Sequence, residues 1–151
     1  MEWCERDSEV AQPNPVKTVL DSSILVKWFS EEEKTQEALA LRNEHIEGSR
    51  ELWVSNLSFY EVANALRYKP TFNNKRLIES LNSLFKLHLN VEPETAPLLA
   101  EASSIAYKCN VSIYDAVPVA LAKRKRARCI TADRETQYAR IKAKGYPIDL
   151  I

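Results

Sequence analysis

The sequence has few cysteines, no long apolar run and no excess of either charge. Its three cysteines are too few and too widely spaced for a disulfide framework or a C-x-x-C zinc pattern, and we expect Cys109 and Cys129 to lie in or near the core. No apolar run approaches the roughly 20 residues that span a bilayer, and residues 1–10 lack the apolar stretch of a secretory signal. These absences predict a cytoplasmic protein without membrane segments.

The charges balance, with 21 lysines and arginines against 21 aspartates and glutamates. A protein without net charge has no overall field that attracts nucleic acid or an anionic membrane, so any such binding must come from a local patch. The densest positive run, residues 123–126, is explained by a helix end, where cations interact favourably with the helix dipole.

Histidine is also scarce, with only two in the chain. We place His45 near the end of a helix that stops before Gly48, and His88 in a predicted strand between Leu87 and Leu89. Neither position is expected near the acidic residues described below. The sequence therefore argues against a mechanism in which imidazole transfers the proton.

A chain of 151 residues has the length of one domain. Residues 1–15 end in Gln12-Pro13-Asn14-Pro15, which predicts a flexible N-terminal extension. The folded domain is expected over residues 16–151.

Within that domain, short apolar runs with strand character alternate with longer segments of helical period. Predicted strands cover residues 16–20, 52–55, 87–91, 129–131 and 148–151. Predicted helices cover residues 58–68, 74–86 and 94–108, and Asp115 opens another. The alternation predicts parallel strands joined by right-handed crossovers. The expected fold class is therefore α/β, a three-layer α/β/α sandwich around a parallel sheet of about four to five strands.

Four acidic residues lie where predicted strands end or predicted helices begin. Asp21 directly follows the first strand and Asp133 follows the fourth, whereas Glu61 and Asp115 lie in the first turns of two helices. Because an open parallel sheet binds ligands beyond the carboxyl ends of its strands, we expect all four side chains at the same edge.

Each acid taken alone has a simpler explanation as a helix cap. Ser58-x-x-Glu61 matches a capping box, Ser112-x-x-Asp115 resembles one with aspartate in place of glutamate, and Asp21 or Asp133 is suited to cap the helix that follows it. Serines at positions 22, 58 and 112 could satisfy the same backbone donors without adding negative charge, so capping explains four acids poorly.

Like charges at one edge are costly unless a cation binds among them. Carboxylate ligands without thiolate or imidazole favour Mg²⁺ or Mn²⁺ over zinc. Such ions bind phosphates, lower the pKa of water and stabilise charge on a phosphodiester under attack. The four acids therefore suggest metal-dependent phosphodiester hydrolysis.

Four segments of the sequence carry a resemblance to a known family: VLDSSILVKWF, NLSFYEVANALR, SIYDAVPVALAKRKRARCITAD and the terminal PIDLI. In this order and at this spacing they resemble the PIN-domain ribonucleases and, among these, the VapC-type toxins of prokaryotic toxin–antitoxin pairs. The resemblance extends over residues 18–151. It implies a PIN-like nuclease domain that cuts RNA endonucleolytically with Mg²⁺ or Mn²⁺, forms a homodimer and is silenced by a small antitoxin.

The resemblance also assigns expected roles to six side chains: metal binding for Asp21, Asp115 and Asp133, metal binding or water orientation for Glu61, and support of the pocket for Ser23 and Thr131. For the two hydroxyls, a local hydrogen bond to the backbone is an equally good explanation. Pro118 departs from the family pattern. Three residues after Asp115, it is expected in the first helical turn, where no intrahelical N–H is lost.

Other functions remain open from the residues alone. A receiver-type phosphoacceptor domain also binds Mg²⁺ at this edge, but it would need a second acid beside Asp21 and a lysine after the last strand. A PIN-like scaffold that only binds a partner would leave the acids as caps. A haloacid-type phosphatase is disfavoured, because Asp21-Ser22-Ser23 lacks the second aspartate two residues on.

Overall fold

The computed structural model describes residues 14–151, which form a five-stranded parallel sheet between two layers of helices. The strands are β1 (Val16–Leu20), β2 (Arg50–Ser55), β3 (Asn90–Glu92), β4 (Arg128–Thr131) and β5 (Ile148–Leu150). The helices are α1 (Ser22–Val26), α2 (Thr35–Glu47), α3 (Leu57–Arg67), α4 (Asn74–Lys86), α5 (Ala96–Cys109), α6 (Ile113–Lys125) and α7 (Ala139–Lys142), and a π-helical turn (Arg134–Tyr138) precedes α7. Apart from Asn14 and Pro15, the extension predicted over residues 1–15 lies outside the described residues.

Successive side chains of each strand point to opposite faces of the sheet, and each face is covered by one layer of helices. Leu20 and Leu52 pack among α1 to α4, whereas Val19 and Cys129 pack among α5 to α7, and all four are fully buried. The three-layer sandwich predicted from the sequence is therefore confirmed. The predicted burial of Cys129 and of Cys109 is confirmed as well. Within residues 14–151, none of the helices combines the length and the apolar character that crossing a bilayer demands.

The strand order β3-β2-β1-β4-β5 changes direction at the boundary between β1 and β4. From β1 the chain builds outward through β2 to β3, and it then returns to build β4 and β5 on the other side. Leu20 of β1 pairs with Ile130 of β4, and the Asp21 N–H donates to the Ile130 carbonyl at 3.0 Å. The segments that follow these two strands leave toward opposite faces of the sheet. This opens a crevice at their carboxyl ends, where open α/β sheets bind ligands.

The strand predicted over residues 87–91 begins later, at Asn90, so the placement of His88 in a strand was wrong. The Leu87 N–H still bonds to a carbonyl three residues earlier, at 3.2 Å, which completes the last turn of α4. His88 then adopts a left-handed backbone conformation, with φ at +50°, and turns the chain toward the sheet. The apolar alternation imitates a strand because Leu89 is buried and Leu87 packs partly against the same core.

His45 lies in α2 ahead of Gly48, which ends the helix in a left-handed conformation as predicted. The His45 Nδ1 accepts from the Leu52 N–H at 3.3 Å, and its Nε2 bonds to the Leu87 carbonyl at 3.1 Å. Both ring nitrogens are therefore used to join α2 to β2 and to the end of α4.

The start of α3 differs from the sequence prediction. The helix begins at Leu57, with Asn56 as its N-cap residue, so Ser58 lies inside the first turn. The Ser58–Glu61 capping box therefore does not form. Glu61 lies past the first turn of α3, so its predicted place in that turn was wrong, and it does not cap this helix.

α6 begins at Ile113, and its N-cap Ser112 accepts from the Asp115 N–H at 3.1 Å. Pro118 therefore lies in the second turn, inside the helix, and the expectation that it falls in the first turn was wrong. A proline here removes the N–H that would bond to the Tyr114 carbonyl. Tyr114 lies on the exposed side of the helix, so water can replace that hydrogen bond.

Candidate active site

Asp21 lies between β1 and α1, at the start of the crevice, and is almost fully buried. Its Oδ2 accepts from the Ser23 N–H at 3.1 Å and from the Ser23 hydroxyl at 2.5 Å, and its Oδ1 accepts from the Gln137 side-chain amide at 3.3 Å. Asp21 is thus the N-cap of α1. Capping requires only the backbone bond, so the two side-chain donors stabilise the carboxylate itself.

Glu61 enters the crevice from α3, which packs against α1. Burial raises the pKa of Glu61 to about 7, and the charges of Asp21 and Asp115 add to this effect. Charges separated by a stretch of solvent would be screened from one another. These three carboxyl groups, from distant parts of the chain, therefore form one electrostatic cluster.

Asp115 lies in the first turn of α6 and is half-buried. Burial raises its pKa, and the charges of Asp21 and Asp133 raise it further, whereas a hydrogen bond from Ser112 and the charge of Arg140 oppose the rise. The charges of Asp21 and Asp115 thus act on Glu61, and those of Asp21 and Asp133 act on Asp115.

Asp133 follows β4 and caps the π-helical turn, its Oδ1 accepting from the Thr136 N–H at 3.1 Å. The fully buried Thr131 hydroxyl accepts from the Asp133 N–H at 3.1 Å, and the Ser23 hydroxyl accepts from the Ala132 N–H at 3.0 Å. The two hydroxyls therefore hold the segment that leads to Asp133 against the end of β1. Their role in supporting an active pocket stays a prediction, as do the catalytic roles of the four acids.

Gln137 is a residue of this edge that the sequence analysis missed. It is 1% exposed, and its amide lies between Asp21 and the first turn of α6. Apolar periodicity gives no signal for it, because glutamine is polar and the π-helical turn interrupts the α-helical period. A search for ionisable side chains passes over it, since glutamine carries no charge.

The donor chemistry of this edge fits a hard divalent ion. Its four acidic side chains offer carboxylate oxygens, the ligands that Mg²⁺ and Mn²⁺ prefer. The repulsion that raises the pKa of Glu61 and of Asp115 would be relieved by a bound cation. Across residues 14–151, no three side chains of Asp, Glu, His or Cys already surround a common point. Binding of one ion by three or more of these carboxylates would therefore require side-chain movement.

The raised pKa of Glu61 predicts a pH-dependent loss of stability in the metal-free protein. The folded state keeps the Glu61 proton up to a pH of about 7, whereas the unfolded chain releases it near 4.5. The folded state therefore binds more protons within this window, and the free energy of unfolding falls as pH rises through it. Replacing Glu61 with glutamine removes this penalty, so the variant should be more stable than the unaltered protein at pH 8 but not at pH 4.

Because Glu61 remains partly exposed, we expect a gain of roughly 1 kcal/mol at pH 8 instead of the full value of its pKa shift. Urea unfolding of both proteins in EDTA at pH 4 and pH 8 measures this difference in the free energy of unfolding. Glu79→Gln on the exposed face of α4 is the matched control and should show no such difference between the two pH values. Equal responses of the two variants would contradict the electrostatic cluster.

Comparison with protein families gives a match to the model of the PIN domain over residues 18–144, a range that includes all four acids. Among curated proteins, Ribonuclease VapC3 from Pyrobaculum aerophilum is 31% identical over 125 residues, which cover 80% of this chain and 92% of that protein.

Solved structures show the same fold at low sequence identity. VapC20 from Mycobacterium tuberculosis, described as a Sarcin-Ricin loop cleaving toxin, superimposes with a TM-score of 0.63 at 15% identity, over 85% of this chain and 95% of that chain. VapBC2 from Rickettsia felis, solved with a DNA fragment from its promoter, gives a TM-score of 0.63 at 12% identity, over 90% of this chain and 99% of that chain. At these identities the likeness concerns the fold.

Proposed function

Because this chain belongs to the PIN domain family, as a VapC-type member, we propose that it is an Mg²⁺- or Mn²⁺-dependent endoribonuclease and the toxin of a toxin–antitoxin pair. The observation that carries the proposal is that four acidic residues lie on segments that begin near the point where the sheet changes direction, and that the charges of Asp21, Asp115 and Asp133 act on one another or on Glu61. Asp21 and Asp133 come from adjacent strand ends, and Glu61 and Asp115 come from helices on opposite faces of the sheet. Capping explains Asp21 and Asp133 but not Glu61.

In this proposal Asp21, Asp115 and Asp133 bind the metal, and Glu61 binds the metal or orients water. A divalent ion held there would supply positive charge to the phosphodiester and make water more acidic. The protein contributes the arrangement of the oxygens. Ser23 donates to one oxygen of Asp21, and the N-cap bond of Ser112 sets the position of Asp115 on α6.

One positive side chain, Arg140 of α7, adjoins this edge. Its charge acts on Asp115, and its guanidinium donates to the Asn110 carbonyl at 2.7 Å. We assign the exposed Arg140 to the RNA backbone, because a chain without net charge must attract phosphates locally.

An apolar groove next to the acids offers a site for the antitoxin. It has a volume of about 300 Å³ and is lined by side chains of α3, α5 and α6, among them Tyr60 and Tyr114. Tyr60 is 77% exposed and directly precedes Glu61, and Tyr114 is 59% exposed and directly precedes Asp115. An amphipathic helix bound in this groove would contact the two tyrosines that precede Glu61 and Asp115. Trp28, in contrast, is a core residue whose indole N–H donates to the Ala38 carbonyl at 2.7 Å.

Family resemblance also leads us to propose a homodimer that acts in the cytoplasm, where its RNA substrate would be available. Size-exclusion chromatography with light scattering tests the dimer. A monomeric mass at micromolar concentration would contradict it.

Removal of the metal should abolish RNA cleavage by the purified protein. A panel of labelled RNAs incubated with Mg²⁺ or Mn²⁺ should yield discrete internal cuts, and EDTA should reduce the rate by at least about 100-fold, since positive charge at the phosphodiester contributes several kcal/mol. Gel analysis of the products measures both. Metal-independent cleavage would contradict the metal dependence, and intact RNA under all conditions would argue instead for a partner-binding scaffold.

A further inference from the structure

Gln137 is buried among the acids although glutamine is rarely found at 1% exposure. A buried primary amide is costly unless its donors and its acceptor all have partners. Here the amide contacts the Asp21 Oδ1 at 3.3 Å, the Asp115 backbone carbonyl at 3.0 Å and the Thr131 hydroxyl at 2.6 Å. These partners come from three different segments, namely the end of β1, the first turn of α6 and the end of β4.

The chemistry of these partners determines the orientation of the amide. The Asp21 carboxylate and the Asp115 carbonyl only accept hydrogen bonds, so the NH₂ group must face both of them. The Thr131 hydroxyl then donates its single proton to the Gln137 Oε1. That proton is not available to Asp21, whose Oδ2 lies 3.4 Å from the Thr131 oxygen. Asp21 therefore depends on Ser23 and Gln137 for its donors.

The backbone that presents Gln137 is the π-helical turn. The Tyr138 N–H bonds at 2.9 Å to the Asp133 carbonyl, five residues earlier, whereas an α-helix would use the N–H of Gln137 for that carbonyl. Turns of this kind are rare and are found mostly at functional sites. One residue fewer in the turn would rotate the following side chains by about 100° relative to Asp133. The entry of Gln137 into the crevice therefore depends on this turn.

We propose that Gln137 is a positioning residue of the acidic edge. Its amide holds the Asp21 carboxylate at a fixed separation from α6 and so aligns Asp21 with Asp115 for cation binding. The identity of the bound cation rests on the proposed function. The three contacts of the Gln137 amide are independent of that proposal. No other common side chain can make all three hydrogen bonds, because they require two donors and one acceptor on a side chain as long as glutamine.

Replacing Gln137 with methionine should weaken Mn²⁺ binding by about 10- to 100-fold, the usual effect of losing a group that orients a ligand. Methionine has a similar shape but cannot donate to Asp21. Titration calorimetry with Mn²⁺ measures the dissociation constant, at a temperature where circular dichroism shows each variant to be folded. Gln137→Asn keeps the amide on a shorter side chain. Its dissociation constant for Mn²⁺ should lie between those of the unaltered protein and of Gln137→Met.

Gln36→Met on the exposed face of α2 is the matched control and should bind Mn²⁺ as the unaltered protein does. An unchanged dissociation constant in Gln137→Met would overturn the positioning role. Failure of the unaltered protein to bind Mn²⁺ would overturn the proposed function instead.

A measurement without metal tests the role of Gln137 if the unaltered protein does not bind Mn²⁺ or if Gln137→Met does not fold. In nitrogen-15 spectra of the unaltered protein, the two side-chain amide protons of Gln137 should be well separated and should exchange slowly with solvent, because both are donated inside a buried site. A rapidly exchanging pair would overturn the inference whether or not a metal binds.

Discussion

Replacing Asp115 with asparagine should lower the rate of RNA cleavage by about 10³-fold, because losing a charged ligand of the cation removes several kcal/mol of transition-state stabilisation. Asp115 is the appropriate residue because the charges of Asp21 and Asp133 both act on it. Its side chain is half-buried, and asparagine would keep the bond from the backbone N–H of this residue to the Ser112 hydroxyl. Single-turnover cleavage of a labelled RNA, with Mg²⁺ or Mn²⁺ in excess, measures the effect.

The matched control for this experiment is Glu135→Gln, which removes one negative charge from an exposed position next to the same edge. It should leave the rate within about threefold, since a solvent-exposed charge is largely screened. Equal rates for Asp115→Asn and the unaltered protein would remove Asp115 from the mechanism. Equal losses in both variants would indicate a general effect of charge on RNA binding.

Asp21→Asn is less suitable for this test, because Asp21 accepts hydrogen bonds at both oxygens. Its Oδ2 faces two donors of Ser23 and its Oδ1 faces the NH₂ group of Gln137. Asparagine in either orientation would place an amide donor against one of them. That substitution would therefore disturb the local structure as well as the charge.

Replacing Leu20 with alanine should lower the free energy of unfolding by about 2–5 kcal/mol, the range found when a buried leucine is truncated. Leu20 is fully buried, in the central strand, and packs among the helices of the α1 to α4 layer. The surrounding side chains cannot close the resulting space without moving the sheet itself. Urea unfolding followed by circular dichroism measures the change.

Ile78→Ala on α4 is the control, because that side chain is 51% exposed and its truncation should change stability by no more than about 0.5 kcal/mol. Similar losses in the two variants would contradict the layer assignment. The Leu20 variant should also leave more unfolded protein at physiological temperature, so its cleavage rate must be corrected for the folded fraction.

The fold could be predicted from the sequence because its signals are local. Short apolar runs between amphipathic segments occur at β1, β2, β4 and β5, and their alternation with helices allows few arrangements other than a parallel sheet between helical layers. The error at β3 shows the limit of such signals. Leu87 and Leu89 are both apolar, but one ends a helix and the other follows a left-handed turn, and hydrophobicity alone does not distinguish them.

Only part of the candidate site could be predicted from the sequence. The four acids stand out by their charge and by their positions after strands or at helix starts, whereas the capping box at Ser58 proved wrong because α3 begins one residue earlier. The position of Pro118 was wrong for a related reason, since Ser112 and not Asp115 marks the start of α6. Helix boundaries shift by a residue or two without any change in the pattern that predicts the helix.

The sequence by itself determined the layers of this protein and the four carboxylates that belong to its sheet edge, because periodicity and residue type act within a few neighbouring positions. Only the tertiary structure decided which groups contact those carboxylates. The meeting of Asp21 with Gln137 joins positions 21 and 137 through a strand order that reverses at β1 and a turn with one extra residue. Neither feature leaves a local pattern, since hydrogen bonding across the sheet edge depends on which segments fold side by side.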